Sequence, residues 1–115
     1  MSAPDPDCLF CKIVAGEIPS TQVYADDDCY AFADTNPQAP THVLVVPRAH
    51  FTDVADLARD AKASAALLAG VRAFAAQEGL TDFRTVFNTG REVGQTVFHT
   101  HAHVLAGRPF TWPPG

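Results

Sequence analysis

The chain is short of basic residues: eight Lys and Arg stand against thirteen Asp and Glu among 115 residues, for a net charge of −5. That balance excludes a nucleic-acid partner, because such affinity rests on a dense basic patch and the counterions it releases. Long apolar runs are missing too. The longest, Ala63 to Ala76, is mostly alanine and carries Arg72, so no membrane span is expected. Met1 to Asp7 holds two prolines and two aspartates, without the basic and apolar stretches of a secretory leader, so a cytoplasmic, reducing location is expected. Three cysteines are too few for a disulfide scaffold, and no repeat or low-complexity segment is visible. Hydrophobic residues make up 47% and charged residues 18%, which excludes disorder. The expected organisation is one domain over residues 1–115, with a loose segment at 1–6 and a tail at 109–115.

Charge is uneven: residues 1–82 hold five basic against twelve acidic side chains, whereas residues 83–115 hold three arginines against Glu92. A small anion near the C-terminal third is compatible with that asymmetry. Histidine is the informative residue. Of His42, His50, His99, His101 and His103, the last three occupy alternate positions within five residues, a pattern chance explains poorly.

Asp7 is placed to cap a short helix bearing Leu9, Phe10, Ile13 and Val14 and stopped by Gly16. Thr21 to Ala25 and Asp28 to Asp34 read as a hairpin around Asp26-Asp27, and His42 to Val46 as a central strand closed by Pro47. Asp53 to Glu78 has helical periodicity, with Leu57 in a first short piece and Leu67, Leu68, Val71, Phe74 and Ala75 as the stripe of the main helix, ended by Gly79. Phe83 to Thr89 and Thr96 or Val97 to Ala106 complete five strands around a Gly90 to Gln95 loop. The predicted fold is α+β, with a mostly antiparallel five-stranded sheet, one long helix and one or two short ones.

On a strand His99, His101 and His103 share one face. Neutral imidazole is a nucleophile, an acid or base near pH 7 and a metal ligand, so this face suits covalent chemistry or coordination. Asn88-Thr89-Gly90 and Gly94-Gln95-Thr96 add amide, hydroxyl and backbone donors of the kind that hold a phosphate. A single strand histidine is more often an ordinary half-exposed residue; three on one face are not. A site using all three as zinc ligands is the competing reading, although the motif lacks the carboxylate such a site usually needs. Cys8-x-x-Cys11 favours a metal over a disulfide in a reducing compartment, and two thiolates need two further ligands, with His50 and one end of the triad as candidates. The bland alternative is a reduced pair packed as small apolar residues, and Cys29 reads simply as buried.

Gln95-Thr96-Val97-Phe98-His99-Thr100-His101-Ala102-His103-Val104-Leu105 resembles the histidine-triad (HIT) motif, His-φ-His-φ-His-φ-φ with φ apolar, Thr100 being a polar occupant of one φ position. Cys8 to Ile13, Gly16 to Pro19, Ala31 to Asp34, Pro37 to His42 and Trp112 to Gly115 extend the likeness to the histidine-triad nucleotide-binding (Hint) branch over nearly the whole chain. One departure is Val93, where the family often has glycine.

The resemblance implies the HIT-like fold and a hydrolase that cleaves purine nucleoside 5′-phosphoramidates or related conjugates at the α-phosphate through a nucleotidyl-histidine, releasing a nucleoside monophosphate such as AMP. A dinucleoside polyphosphate hydrolase and a nucleotide-binding regulatory module with incidental turnover are the alternatives. By resemblance His101 is the nucleophile, His103 contacts phosphate, His42 supports the relay and His99 flanks the nucleophile. Asn88, Gly94, Gln95 and Thr96 would hold the phosphate and 5′ oxygen, Asp34 the ribose hydroxyls, and Leu9, Phe10, Ile13 and Phe32 the base. It also implies a structural zinc on Cys8, Cys11, His50 and His99, with no cofactor for catalysis. Finally, it implies a homodimer joined through the long helix, with Gly70 in close helix contact, and through the sheet edge into one continuous sheet.

Overall fold

A computed structural model describes residues 4–115. In chain order its elements are helix α1 (Leu9–Val14), strands β1 (Gln22–Ala25), β2 (Cys29–Ala33) and β3 (Thr41–Pro47), helices α2 (Val54–Leu57) and α3 (Ala61–Gln77), and strands β4 (Arg84–Val86) and β5 (Ala102–Ala106). The five strands form one antiparallel sheet in the order β1-β2-β3-β5-β4, so the expected α+β architecture is the one observed.

Local chemistry sets most boundaries. Asp26 Oδ1 accepts from the N–H groups of Asp28 (2.8 Å) and Cys29 (2.7 Å), turning β1 into β2. Asp53 and Asp60 cap α2 and α3 by accepting from the N–H groups three residues on, and Gly79 at φ +67 follows the end of α3. The first cap differs from expectation. Residues 1–3 of the expected loose segment lie outside the described residues, and Asp5 to Asp7 form a turn, with Cys8 N–H donating to the Asp5 carbonyl (3.1 Å). That turn moves the extended cap position to Cys8, whose Sγ accepts from Cys11 N–H at 3.4 Å.

Strand alternation divides the sheet into two faces. Cys29, Ala31, Val43, Val45, Ala102 and Val104 pack beneath Leu67, Val71 and Phe74 of α3. On the other face Tyr30, Phe32, Leu44 and Val46 pack with Phe10, Cys11 and Ile13 of α1. His103, between Ala102 and Val104 and opposite Leu44, therefore falls on the α1 side, away from the long helix.

Two expectations for α3 need correcting. Leu68 is 58% exposed, because the sheet takes the stripe through Leu67, Gly70, Val71 and Phe74, and one residue along a helix turns the side chain about 100° away. Gly70 faces the sheet instead of a second helix: a Cβ there would lie 2.8 Å from Cys29 Sγ and 3.1 Å from Cys29 Cβ. Cys29 is fully buried, and burial pushes its thiol up to about 12, so it acts as a small apolar spacer.

Gly70→Ala should destabilise the protein by about 1 kcal/mol in urea denaturation, since overpacking outweighs the helix-propensity gain of about 1 kcal/mol. In a Cys29→Ala background the same change should become stabilising; an unchanged sign would show that the contact is not what forbids a side chain there.

Candidate active site

The chain entering β5 is drawn off the sheet, which corrects the expectation of one strand running from Thr96 or Val97. Pairing of β3 with β5 ends at Val45 and Ala102. Beyond that, Thr100 donates both its N–H (2.7 Å) and its hydroxyl (3.2 Å) to the Phe51 carbonyl, tying this stretch to the segment after β3. Its polar side chain at an apolar position of the motif is thereby explained. The expected strand Phe83 to Thr89 is likewise reduced to Arg84–Val86, because its partner stops at Ala102. All three histidines lie on the α1 side of the sheet, but they serve two centres: His103 meets His42 and His101, whereas His99 meets Cys8 and Cys11, so a metal on all three is not what the geometry favours.

Backbone groups fix the protonation pattern of the imidazoles. His101 Nδ1 lies 2.7 Å from the His99 carbonyl, an acceptor only, so Nδ1 carries the proton and Nε2 keeps its lone pair. His42 Nδ1 accepts from Gln38 N–H at 3.0 Å, so the His42 proton sits on Nε2. His42 Nε2 lies 2.9 Å from His103 Nδ1 and donates that proton to it, which leaves His103 with Nε2–H. Asp34 Oδ2 lies 3.4 Å from His42 Nε2. Asp34, His42 and His103 are close enough to suggest a cation site, yet a protonated Nε2 on His42 has no lone pair to give. The row is a hydrogen-bond relay.

A cavity of about 340 Å³ opens onto this row. Leu9, Phe10, Ile13 and Phe32 form apolar wall, Asp34 stands at one side, and Asn88, Gly94 and Thr96 stand with His101 and His103. Gly94 adopts φ +101, reserved for glycine, in the turn that follows a 3-10 helix at Arg91–Val93. Of the sequence-derived nucleotide residues only Gln95 lies outside the lining. It is 2% exposed; its Oε1 accepts from Gly90 N–H (2.8 Å) and its Nε2 donates to the carbonyls of Thr52 (2.9 Å) and Val97 (3.2 Å), so it braces the loop from behind. His42 stands behind His103. Leu44, Ala33, Thr35 and Val97 also line the cavity. Sequence reasoning missed them; alternation from Phe32 and His42 along their strands reaches none of Thr35 and Val97, which lie on loops.

The second centre joins Cys8, Cys11, His50 and His99, whose ligand atoms all lie within 4.8 Å of one another. Cys8 Sγ is 3.4 Å from His99 Nδ1, Cys11 Sγ is 3.4 Å from His50 Nδ1 and 3.5 Å from His99 Nδ1, and the two Nδ1 atoms are 3.3 Å apart. Tetrahedral zinc, with bonds of about 2.3 Å to sulfur and about 2.0–2.1 Å to nitrogen, implies edges of about 3.3 Å between nitrogens and about 3.6 Å between sulfur and nitrogen. The donor set fits. The fully buried His99 also lies 2.8 Å by Nε2 from the Pro47 carbonyl, which puts its proton there and aims the Nδ1 lone pair at the thiols.

The HIT domain model matches residues 15–110. The chain belongs to the HIT family. A HIT-like protein of Synechocystis is 50% identical over 95% of this chain and 97% of its own length. A "14 kDa zinc-binding protein" of Zea mays is 44% identical over 96% of this chain and 90% of its own. Among solved structures, a HIT family hydrolase of Legionella pneumophila superposes with a TM-score of 0.89 at 46% identity, covering 95% of this chain and all of the other. No helix among the described residues of this HIT protein is long and apolar enough to cross a membrane.

Burial keeps the HIT triad neutral. It lowers His101 below the usual imidazole value and His103 to about 4, in the latter case with help from the neighbouring His101 and His42. Because the folded value of His103 lies below its unfolded one of about 6.5, the unfolded chain binds the extra proton between these limits, and stability is lost as pH falls from about 6.5 toward 4. The unfolding free energy should therefore decline over that interval, with His103 contributing at most about 1.4 kcal/mol per pH unit. Denaturant titrations at several pH values should give a shallower decline for His103→Gln; an identical slope would contradict the assignment.

Proposed function

We propose that this protein is a nucleotidyl hydrolase of the Hint type that cleaves purine nucleoside 5′-phosphoramidates or related conjugates at the α-phosphate. The observation that carries the reading is the orientation of His101: its Nδ1–H is committed to the His99 carbonyl, leaving Nε2 as a buried neutral nucleophile on a cavity with an apolar end and a polar end. The base would lie against Leu9, Phe10, Ile13 and Phe32. The ribose diol would donate to Asp34, since one carboxylate accepts two hydrogen bonds. Phosphate would sit between His101, His103, Asn88, Gly94 and Thr96, with Gln95 keeping that loop in place.

His101 Nε2 attacks phosphorus while the bond to the leaving amine breaks, the amine taking the electron pair and a proton from solvent, which the attacking water of the second step returns. His103 Nε2–H and the Thr96 hydroxyl stabilise the charge that develops on the phosphoryl oxygens. His42, hydrogen-bonded between Gln38 N–H and His103, holds His103 in the donating form. Water then attacks the nucleotidyl-histidine, the P–N bond to His101 breaks, and nucleoside monophosphate leaves with His101 neutral again. His101→Ala should retain AMP binding and lose about 10⁴-fold or more in turnover of adenosine phosphoramidate. An early quench of the wild type should yield an adenylylated peptide containing His101. Preferred turnover of dinucleoside polyphosphates would favour that alternative substrate, and tight AMP binding without turnover of any conjugate would favour the regulatory module.

We assign a structural zinc to Cys8, Cys11, His50 and His99, supported by the edge lengths and by the name of the maize relative. It would supply a cross-link from the start of α1 to the segments that follow β3 and precede β5, and take no part in the reaction. Metal analysis should find about one zinc per chain and Cys11→Ala should lose it; retention in that variant would move the site elsewhere.

The working unit we propose is a homodimer. Leu68 stands exposed on α3 with Ala65 and Ala69, and β4 is the last strand in the sheet order, open to a second copy. Light scattering should report twice the chain mass, and Leu68→Asp should shift it toward one.

A further inference from the structure

The Cys/His cluster and the cavity are linked by three features. The His99 residue that gives its Nδ1 to the cluster gives its backbone carbonyl to His101 Nδ1–H at 2.7 Å. Phe10 stands edge-on to both rings, with centroids 6.0 Å from His99 and 5.1 Å from His101. Helix α1 has only six residues, fewer than a helix needs to hold itself in water, and it carries both kinds of residue. Its Cys8 cap and Cys11 belong to the cluster, while Leu9, Phe10 and Ile13 are the wall of the cavity.

We infer that the Cys8–Cys11–His50–His99 cluster positions both the reacting imidazole and the apolar wall of the cavity, so that occupancy by a thiophilic divalent cation and binding of a nucleotide are coupled. The inference rests on the nucleotide reading of the cavity and concerns how that site is assembled. With a cation in place, four ligands tie α1 to the segment after β3, through His50, and to the approach of β5, through His99. Without one, α1 is held by the packing of Phe10 and Ile13 against Phe32 and Leu44, and the His99 ring keeps its bond to the Pro47 carbonyl. The wall and the carbonyl that orients His101 then loosen together. A further cavity of about 430 Å³, lined by Asp5, Asp7, Cys8 and His50 among others, reaches the cluster from outside and gives a cation a carboxylate-lined approach. Coupling of this kind is reciprocal: nucleotide must tighten the cation by the factor by which the cation tightens nucleotide.

The test compares protein loaded with Co²⁺ or Zn²⁺ with chelator-stripped protein, using calorimetry for AMP, visible absorption for Co²⁺ affinity and ring ¹⁵N shifts for the His101 tautomer. Stripping should weaken AMP by about tenfold, saturating AMP should strengthen Co²⁺ binding by a similar factor, and the single Nδ1–H form of His101 should give way to a mixture. His50→Ala, outside the nucleotide cavity, should reproduce the stripped state, and His50→Cys, which returns a fourth ligand, should restore both affinities and the tautomer. Equal AMP affinity in loaded and stripped folded protein, or an unaltered His101 tautomer, would overturn the coupling. Failure of the loaded protein to bind AMP would instead overturn the nucleotide reading, with the ring signal still deciding whether the cluster orients His101. If stripping unfolds the chain, His50→Asp, which keeps a weaker oxygen ligand, takes its place in the same comparison.

Discussion

His99 is held at three points, and the rest of the site follows from that constraint. Its Nε2–H meets the Pro47 carbonyl, its Nδ1 meets the two thiols and His50, and its own carbonyl receives the proton of His101 Nδ1. A fully buried imidazole cannot leave polar atoms unpaired at low cost, so the ring is fixed in place and in tautomer. Fixing it decides which nitrogen of His101 faces the cavity. The middle histidine is thus oriented by backbone, whereas the last one, His103, is oriented through His42 by the Gln38 N–H.

The sheet supplies the frame. Its two faces are used differently: α3 closes one with a continuous apolar core, and the other is only partly covered, by α1, leaving space beside His101 and His103. Close packing of Gly70 over Cys29 brings the long helix down onto that first face. The second face has a helix too short to be stable alone, so its apolar contacts and its thiols must together hold it. Rigidity on one side and a small, locally anchored cover on the other is the arrangement a binding cavity needs.

Much of this was legible in the residues. The helical run after Asp53, the turn at Asp26 and the central strand around His42 to Val46 are local matters of hydrogen bonding and hydropathy, and they fall where sequence patterns put them. The pocket residues Asp34, Asn88, Gly94 and Thr96 followed from motif resemblance and do converge with His101 and His103. Legibility failed where a distant group intervened. Gln95 looks like a phosphate ligand in a glycine-bearing turn, but the Thr52 carbonyl, far away in sequence, is placed to receive its amide. Leu68 looks like core by adjacency to Leu67, and only the position of the sheet decides which of the two is buried.

The alternating histidines by themselves determined that three imidazoles would share one side of the chain, and the Cys-x-x-Cys spacing that two thiols would sit on one helical turn, since both depend on nothing beyond local chain geometry. What only the tertiary structure decided is how the histidines are divided. The strand starts at Ala102, with Thr100 bonded to the Phe51 carbonyl, and before that start His99 meets cysteines some ninety residues earlier in the chain, whereas His101 and His103 line the cavity. A period-two pattern has no means of registering such a break, because the competing hydrogen bond comes from a segment that only folding brings near.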